Sequence, residues 1–552
     1  MKKKTILLIS FYNPKALGIR YLEKSLIDAG YHVYIIFFKT FNSRKPSSAT
    51  QIELELVKDV VNRVKPGVVG LSVMSSLYLE TVYIVNGYIR SNFEIPILWG
   101  GVYPTLFPEK CLEFADFVIR GEGEKAIVEL ADALSYNEDY EHILNLAYWK
   151  FNNAKAFDTS DLIDKGNSFG GNDTQNNDTQ NNGIQDNAAR NNSTQNNSIQ
   201  DIERIVINDI RPLCSNLDQY GFPQIGGDNK FFINNNKMIP RDPQLNSISY
   251  ELTTSRGCPF TCSYCSSVNL NRLYRERGKY VRFRSVESVI YELQEAKRKT
   301  KNLRTIRFWD EIFPDDNKWI DEFAKRYKKE INLPFEIWVH PLKISCNLIE
   351  KLVDAGLFKA VMGIQSGSAY IRKEIFGRYE RQEDIINASK ILSECKVPRV
   401  IYDFIIRHSF ETEEDIRQSF ELCLQLHPPF ELQLHALNFL PGTDIVEKAI
   451  ELNKISRDEL EEIMYAPLKK QYETYWGVSS NDIMINFWYS LIYMTQFATI
   501  KPLAGFLSKY AQSLNKKFTL LVELLIKFQR SLVHVVKMRD YFKKIYMILR
   551  TG

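Results

Sequence analysis

The sequence predicts an α/β fold in three parts: a doubly wound amino-terminal domain, a partial parallel barrel of six β/α units, and a helical carboxyl-terminal region. Two stretches in which short apolar runs alternate with amphipathic helical patterns predict the first two parts. After Pro441-Gly442 the sequence is helical in pattern and rich in aromatic residues. We therefore expect domains at residues 1–135, 246–445 and 446–552, with residues 136–245 as a linker.

Five predicted strands make up the first domain, and helical patterns separate them. The strands lie at residues 5–10, 32–37, 68–73, 95–99 and 117–119. This alternation predicts a doubly wound parallel sheet, whose ligand site should lie at the carboxyl ends of the strands. Glycines occupy that edge, because Gly100 and Gly101 follow the fourth strand and Gly121 and Gly123 follow the fifth.

Six further strands are predicted in the second unit. They lie at residues 249–254, 305–309, 336–340, 359–364, 400–406 and 431–439, each followed by a helical pattern. Six such repeats suit an incomplete barrel of the TIM type. Its chemistry is expected at the carboxyl ends of the strands.

Residues 172–201 of the linker consist of six polar pentads that begin with Asn. Such a tract cannot bury enough apolar surface to fold, so we expect a disordered, Asn/Gln-rich insert. A β-solenoid would need apolar residues at fixed inward positions, and only Ile184, Ala189 and Ile199 are available.

Composition excludes several classes of protein. The chain has 552 residues, of which 44% are hydrophobic and 25% charged, as in ordinary folded proteins. Its 8 cysteines are too sparse for a disulfide scaffold. No uncharged apolar run is long enough to span a membrane, and Ile6 to Ile9 are too short for a signal peptide core. A cytoplasmic location is the expectation.

Three of the cysteines carry the strongest functional signal. Cys258, Cys262 and Cys265 follow the first strand of the second unit with the spacing CxxxCxxC. Three thiolates can hold three irons of a 4Fe-4S cluster and leave the fourth iron open to a small molecule. A structural zinc site would need four ligands, and no second close Cys or His pair exists. The other cysteines are scattered, and we interpret most of them as packing residues.

The loop from Ser255 to Cys265, with Tyr264 before the third cysteine, resembles the cluster motif of the radical S-adenosylmethionine (SAM) superfamily. Later segments resemble the subfamily that carries an amino-terminal cobalamin domain, so the resemblance covers most of residues 1–445. Those segments are Arg282 to Ser285, Phe308 to Phe313, Gly363 to Ser368, Arg378, and Pro441 to Thr443. The resemblance implies that the open iron binds SAM, whose reductive cleavage gives methionine and a 5′-deoxyadenosyl radical.

The resemblance also implies roles for individual barrel residues. Tyr264, Gln365, Ser366 and Arg378 are expected around SAM, with Ser366 and Arg378 touching its polar groups. The catalytic candidates are Asp310 and Glu311, which would face the site from the end of the second strand. A carboxylate can pair the SAM amine and an arginine can clamp its carboxylate. The alternative for Glu311 and Arg378 is a surface salt bridge.

Two departures from the family pattern affect this reading. The family commonly has Glu where this chain has Gln365. It usually has a Gly-x-Pro-Gly-Glu-Thr turn where this chain has residues 407–412, Arg-His-Ser-Phe-Glu-Thr. The replacement puts the backbone path beside the adenine in doubt. Arg407 or His408 could instead point at an unusual substrate or be solvated.

Residues of the first domain resemble the Rossmann-like cobalamin-binding domain of the same subfamily. The candidate cobalamin contacts are Ser72, Gly100, Gly101, Thr105, Gly121 and Glu122. Glycine lets backbone approach a large ligand, and hydroxyl groups can bond corrin amides or a nucleotide tail. The Asp-x-His-x-x-Gly motif of many other cobalamin enzymes is missing, so no histidine ligand to cobalt is expected. A domain that keeps the fold without binding a corrin is the alternative.

These features together predict a methylase that uses a 4Fe-4S cluster, SAM and cobalamin on an unactivated carbon of a metabolite. One SAM would donate a methyl group to cobalamin and a second would generate the radical. A radical cyclisation or oxidation, as in the resembling anaerobic magnesium-protoporphyrin ester cyclases, is the rival prediction. A non-catalytic sensor is another. Methylthiotransferases, which act on tRNA or protein, carry a second cysteine triad where this chain has only Cys111.

The carboxyl-terminal region is basic. Residues 501–552 contain 11 Lys and Arg against Glu523 and Asp540. Residues 518–549 predict amphipathic helices, which would cap the barrel or lie on an anionic membrane and admit a lipid-like or pigment-like substrate. The expected protein partner is a reductant such as flavodoxin or ferredoxin, and no nucleic-acid module is visible.

Overall fold

A computed structural model describes residues 3–42, 46–150, 204–476 and 482–509, together with a few positions between 523 and 538. The predicted disordered insert at 172–201 lies outside the described residues. The same is true of most of the predicted amphipathic tail at 518–549.

A nine-stranded sheet forms the amino-terminal part, and its six central strands are parallel. Its strands follow the order β7-β6-β5-β4-β3-β1-β2-β8-β9. Because the order reverses between β1 and β3, a ligand crevice is expected beyond the carboxyl ends of those strands. The strands are β1 (Ile6–Phe11), β2 (Val33–Phe38), β3 (Val68–Ser72), β4 (Ile97–Gly100), β5 (Phe117–Ile119), β6 (Leu146–Lys150), β7 (Arg204–Ile207), β8 (Lys230–Asn234) and β9 (Lys237–Ile239).

Helices cover both faces of this sheet, as a doubly wound domain requires. They are α1 (Leu17–Asp28), α2 (Gln51–Val64), α3 (Leu79–Asn92), α4 (Val102–Leu106), α5 (Pro108–Leu112) and α6 (Glu124–Tyr136). Two separate apolar clusters, one on each face, bury the sheet. Helix α2 begins with a capping box in which Thr50 and Glu53 satisfy each other's backbone N–H groups.

The linker predicted at 136–245 contributes more structure than expected. Strands β6 and β7 extend one edge of the sheet as antiparallel strands. At the other edge β8 pairs in parallel with β2, and β9 pairs with β8. The β/α alternation used for the prediction does not extend to these edge strands, so the sequence pattern missed them.

The second sheet has six parallel strands in chain order, β10-β13-β14-β15-β16-β17, as the partial barrel predicts. A separate antiparallel pair, β11 and β12, lies beside it. The strands are β10 (Ser249–Leu252), β11 (Ser255–Arg256), β12 (Arg282–Phe283), β13 (Thr305–Phe308), β14 (Phe335–Val339), β15 (Leu357–Gln365), β16 (Arg399–Ile406) and β17 (Glu431–Ala436). The predicted fold class is confirmed.

The barrel helices follow their strands. They are α7 (Ser266–Leu273), α8 (Val286–Lys299), α9 (Asn317–Glu330), α10 (Cys346–Ala355), α11 (Gln382–Glu394) and α12 (Glu413–Gln425), with one π-helical turn at Ile371–Ile375. Alternate strand residues such as Ile306 and Phe308 join the apolar core that packs under these helices. The residue between them, Arg307, forms ion pairs with Glu251 and Glu336 on the neighbouring strands. The inner face of the barrel is therefore polar.

Five more helices end the described chain: α13 (Asp444–Glu451), α14 (Arg457–Met464), α15 (Leu468–Trp476), α16 (Ile483–Met494) and α17 (Lys501–Ser508). Helix α16 packs on the barrel, where the Trp488 indole N–H donates to Glu413 at 2.9 Å. In the described part of the chain, every helix is too short or too polar to cross a membrane.

Candidate functional site

A cavity of about 420 Å³ lies between the two sheets, and residues of both line it. The amino-terminal domain contributes residues from the carboxyl ends of its strands, and the barrel contributes the start of the cysteine loop and the end of β13. All six predicted cobalamin contacts line it, as does one of the two predicted catalytic carboxylates: Ser72, Gly100, Gly101, Thr105, Gly121, Glu122 and Glu311. The fold therefore brings together residues that lie up to 239 positions apart in the sequence.

The cysteine loop connects β11 to α7. Gly257 opens it with φ of +93°, and a Cβ atom there would lie 2.5 Å from the carbonyl oxygen of Tyr280. Glycine is therefore the residue that lets the loop pass beside Tyr280. Cys262 is buried, whereas Cys258 and Cys265 are half-buried, and Cys265 is the residue before the first turn of α7.

The three thiols fit an iron–sulfur cluster by their chemistry. Burial raises the pKa of Cys258 to about 12 and that of Cys265 to about 11. Both are therefore protonated at neutral pH unless a metal displaces the proton. Three cysteines on one short loop supply the donor set of a cluster with an open iron.

Asp310 holds the strand that leads into this loop. Its Oδ1 accepts four hydrogen bonds, from the backbone N–H and hydroxyl groups of Thr254 and Ser255, at 2.5 to 3.0 Å. Burial raises the pKa of Asp310 to about 6, although these bonds oppose the rise. Asp310 is buried and does not line the cavity. The geometry supports a positioning role for Asp310, and the catalytic role stays a prediction.

Glu311, the next residue, lines the cavity and its side chain is exposed there. Desolvation by the surrounding protein and the charge of Asp310 raise the pKa of Glu311. Hydrogen bonds from the Gly257 backbone and the Ser267 hydroxyl oppose this rise. The charge of Glu311 also acts on Cys258 and Cys265. Among the described residues it has no ion pair, so the surface salt bridge considered for it is not formed.

Three predicted SAM contacts lie beside the cysteine loop: Arg378, Tyr264 and Gln365. The Arg378 guanidinium is buried, donates to the Tyr264 hydroxyl at 3.4 Å and lies 4.0 Å from the Cys262 sulfur. Glu380 pairs with it at 2.6 Å inside the protein, so the alternative of a surface salt bridge does not apply. The Gln365 Oε1 atom is buried and lacks a hydrogen-bond partner in the described structure, as expected of a group that awaits a ligand.

The Ser366 hydroxyl contacts neighbouring serine residues instead. It accepts the Ser368 N–H at 3.1 Å and lies 3.5 Å from the Ser419 hydroxyl of α12. Helix α12 packs so closely that a Cβ atom at Gly367 would lie 2.2 Å from the Ser419 Cα. The predicted contact between Ser366 and SAM would require the Ser366 hydroxyl to leave Ser368 and Ser419.

The side of the cavity that holds the predicted cobalamin contacts is built from two glycine turns joined by Thr105. Gly101 has φ of +118°, and a Cβ atom there would lie 2.5 Å from the Val73 carbonyl oxygen. The Thr105 hydroxyl donates to the Gly101 carbonyl at 2.7 Å and accepts the Gly121 N–H at 2.8 Å. The two turns present backbone to the cavity without side-chain bulk, which fits close approach by a large planar ligand.

Charged side chains join the domains beside these turns. Glu122 pairs with Arg282 at 2.6 Å and with Arg256 at 3.2 Å, and Arg256 also pairs with Glu124 at 2.5 Å. Burial would raise the pKa of Glu122, but the two guanidinium groups outweigh it and hold this pKa below its usual value. We call Glu122, Glu124, Arg256 and Arg282 the interdomain ionic cluster.

Sequence reasoning missed several residues that line the cavity. Arg256 and Arg282 stood within quoted motifs without an assigned role. Tyr274 lines the cavity, and its oxygen accepts the Glu122 N–H at 2.6 Å. Trp309 stacks on Trp338 with 4.4 Å between ring centroids. The sequence signal for Trp309 was its position directly before two acidic residues.

The unusual 407–412 loop lies at the end of β16. Arg407 has φ of +56°, and its N–H donates to Glu411 at 2.6 Å and to the Tyr489 hydroxyl at 2.9 Å. Burial lowers the pKa of His408 to about 3, so its ring is neutral and both ring nitrogens lack hydrogen-bond partners in the described structure. Burial raises the pKa of Glu411 to about 7. Of the two alternatives for His408, the solvated one is wrong because the side chain is buried.

Both domains that line the cavity match models of known protein families. Residues 4–131 match the family model of the B12 binding domain, and residues 252–423 match that of the radical SAM superfamily. An uncharacterized methyltransferase of Pyrococcus horikoshii, PH0819, is 23% identical over 443 residues, which cover 79% of each chain. The cytidylyl-2-hydroxyethylphosphonate methyltransferase of Streptomyces wedmorensis is 22% identical over 398 residues, covering 68% of this chain and 66% of that protein.

A solved structure shares the fold. It is the radical SAM methyltransferase TsrM from Kitasatospora setae, with cobalamin and a [4Fe-4S] cluster bound. The TM-score is 0.56 at 15% identity, and the match covers 81% of this chain and 75% of that chain.

We predict that Arg256→Ala destabilises the protein by about 1.5–3 kcal/mol, since it leaves the buried Glu124 carboxylate without its charged donor and leaves Glu122 with Arg282 alone. Chemical denaturation of the full chain measures the effect. Arg272→Ala is the matched control, because the exposed Arg272–Asp444 pair should contribute less than about 1 kcal/mol. Equal losses in the two variants would contradict a structural role for the interdomain ionic cluster.

The raised pKa of Glu411 predicts a pH dependence of stability. A folded-state pKa of about 7, above the ordinary 4.5, favours the protonated form in the folded state. This contribution is present at low pH and is lost as pH rises from 4.5 to 7. The free energy of unfolding of the wild type should therefore fall relative to that of Glu411→Gln between pH 5 and 7, and the difference should level off above.

Glu414→Gln is the control for this pH dependence, because Glu414 is exposed and pairs with Arg417 at 2.6 Å on the surface of α12. Its profile should run parallel to that of the wild type above pH 5. A Glu411→Gln profile that is also parallel to the wild type would show that Glu411 does not titrate as expected.

Proposed function

Because the chain belongs to the radical SAM superfamily and carries a B12-binding domain, we propose that it transfers a methyl group to an unactivated carbon of a small or medium-sized metabolite. The observation that supports this best is the shared cavity. Its walls come from the glycine turns of the B12-binding domain and, in the barrel, from Glu311 and from Gly257, the residue directly before the first cysteine. A substrate there would be within reach of both cofactor sites.

The cofactors supply the chemistry when bound: the cluster with SAM supplies a radical that abstracts hydrogen, and cobalamin supplies the methyl group. The protein's residues hold and orient them. In this proposal Cys258, Cys262 and Cys265 hold the cluster, and Asp310 fixes the strand end that precedes them. One continuous segment, residues 254–265, thus links the Asp310 hydrogen bonds to all three thiols.

We assign the polar groups of SAM to Gln365 and Arg378. The Gln365 amide nitrogen and Arg378 Nη1 both lie over Gly363, at 2.5 and 3.7 Å from the position of a Cβ atom there. Arg378 can offer a charge to the SAM carboxylate, and the unpaired Gln365 Oε1 can accept from the amine. Tyr264 orients Arg378 through its hydroxyl.

Of the two predicted catalytic residues, Glu311 is the one that lines the cavity. It faces the cavity, and burial raises its pKa, so we propose it as the group that accepts a proton from a substrate or a cofactor amine. Apolar groups cover most of the other walls, including the exposed side chains of Met74 and Trp309. These walls favour a substrate with a substantial apolar part, such as a lipid-like or pigment-like molecule.

Ser72, Gly100, Gly101, Thr105, Gly121 and Glu122 are the proposed cobalamin contacts. Glycine backbone would lie against the corrin, and the Ser72 hydroxyl is free to bond its amides. Turnover also needs an electron donor, for which we propose a flavodoxin or ferredoxin. The basic carboxyl-terminal region, residues 501–552, is the proposed place of any peripheral membrane contact.

The test of methyl transfer is anaerobic turnover with SAM labelled in its methyl group. We expect 5′-deoxyadenosine and a labelled product by mass spectrometry, and neither from a Cys258→Ala variant. Deoxyadenosine together with an unlabelled, cyclised or oxidised product would replace the proposal with the cyclase alternative. A reduced, cluster-loaded protein that forms no deoxyadenosine with any candidate substrate would favour a sensor.

We predict that Gly101→Ala lowers the cobalamin retained after reconstitution by at least about tenfold, because a Cβ atom would collide with the Val73 carbonyl and strain the turn. The absorption spectrum of the desalted protein measures it. Gly87→Ala in α3 is the control, since a Cβ atom there meets no atom within 4 Å. Full retention by Gly101→Ala would argue against cobalamin at these turns.

A further inference from the structure

Three side chains with metal-binding donors meet on the outer surface of the barrel. Cys346 and Glu350 lie on α10, and Cys395 follows the last residue of α11. Their sulfur and carboxylate oxygen atoms all lie within 4.8 Å of one another. We propose that Cys346, Glu350 and Cys395 bind a zinc ion, in a site separate from the cluster and the cavity.

The distances suit one tetrahedral ion. The two sulfur atoms are 3.7 Å apart, and the Cys346 sulfur is 3.3 Å from Glu350 Oε1. Zinc–sulfur bonds of about 2.3 Å at tetrahedral angles require sulfurs about 3.8 Å apart. A sulfur and a carboxylate oxygen on the same ion should be about 3.5 Å apart. These two spacings match one tetrahedral ion to within about 0.2 Å. The third pair, the Cys395 sulfur and the Glu350 carboxylate oxygen, lies within 4.8 Å.

Local structure explains why these donors converge. Residues four apart on a helix share a face, so Cys346 and Glu350 point the same way from α10. The Ser345 hydroxyl accepts the Leu348 N–H and fixes the turn on which Cys346 lies. Cys395 comes from the end of the adjacent helix, and its sulfur lies 3.9 Å from the Cys346 carbonyl oxygen.

Charge and exposure distinguish Cys346 and Cys395 from the packing cysteines. Cys111 and Cys423 are fully buried, as expected of cysteines that act as small apolar residues. Cys346 is exposed, and the carboxylates of Glu350 and Glu394 both act electrostatically on Cys395. A cation is favoured in that setting. Two thiolates and one carboxylate suit zinc, with water completing the tetrahedron from the solvent side.

Zinc binding would release the two thiol protons to solvent and tie α10 to the end of α11. These helices belong to consecutive β/α units of the barrel. Because the ion would bind the folded protein and not the unfolded chain, it should raise the unfolding temperature, and the rise should grow with the concentration of free zinc.

The experiment uses the cluster-loaded holoprotein, so that the cluster cysteines are occupied. After incubation with zinc sulfate and desalting, we expect about one zinc per chain by elemental analysis, with unchanged iron. X-ray absorption at the zinc edge should show about two sulfur neighbours at about 2.3 Å. Cys346→Ser and Cys395→Ser should each weaken zinc retention at least about tenfold, as should Glu350→Gln to a lesser extent.

Cys214→Ser is the matched control, because it removes a half-buried thiol elsewhere and should retain zinc like the wild type. Zinc should also raise the unfolding temperature of the wild type and of this control, but not that of Cys346→Ser. A wild type that retains no zinc overturns the proposal, as does retention at the wild-type level by Cys346→Ser and Cys395→Ser. A Cys346–Cys395 disulfide in protein prepared under reducing conditions also overturns it.

Discussion

The pairing of Glu122 with two arginines from the barrel is the interaction on which the site depends. Glu122 follows the last glycine turn of the amino-terminal sheet, whereas Arg256 and Arg282 belong to β11 and β12 beside the cysteine loop. Taking these charges out of water is costly unless each is paired and hydrogen-bonded. The observed packing of the two domains pairs each of them, so these ion pairs help to hold the two sheets in their relative position.

That arrangement makes one cavity out of two strand edges. Tyr274 reinforces it, because a Cβ atom at Gly121 would lie 2.0 Å from the Tyr274 oxygen. The absence of a side chain at Gly121 thus lets the barrel approach the turn, and Thr105 connects the same turn to Gly101. The glycines therefore serve the contact between domains as well as the proposed ligand contact.

The sequence predicted all eleven strands of the two β/α units, because each is an apolar run bounded by polar or turn-forming residues. It also predicted the residues of the glycine turns, since parallel strands place their carboxyl ends together. It could not predict that Asp310 points into the protein while Glu311 points into the cavity. That choice depends on the four donors of Thr254 and Ser255, which only the fold brings to Asp310.

Other features were hidden for the same reason. Cys346 and Cys395 are separated by 49 positions, and no spacing rule relates them. The partners of Arg256 and Arg282 lie 132 to 160 residues away, so the sequence assigned neither arginine a role. Sequence periodicity reports local structure, whereas these contacts depend on how the two domains pack.

The 407–412 loop shows how a chain can replace glycine without abandoning a turn. Arg407 takes the left-handed conformation that glycine adopts freely, at a cost of about 1–2 kcal/mol. Its N–H compensates by donating to both Glu411 and the Tyr489 hydroxyl, and Tyr489 comes from helix α16. The carboxyl-terminal region is therefore part of this turn, and it supports a backbone path that glycine would adopt without help. The buried, neutral ring of His408, whose Nε2 lies 3.6 Å from the Glu411 carboxylate, is the side chain that this substitution adds beside the turn.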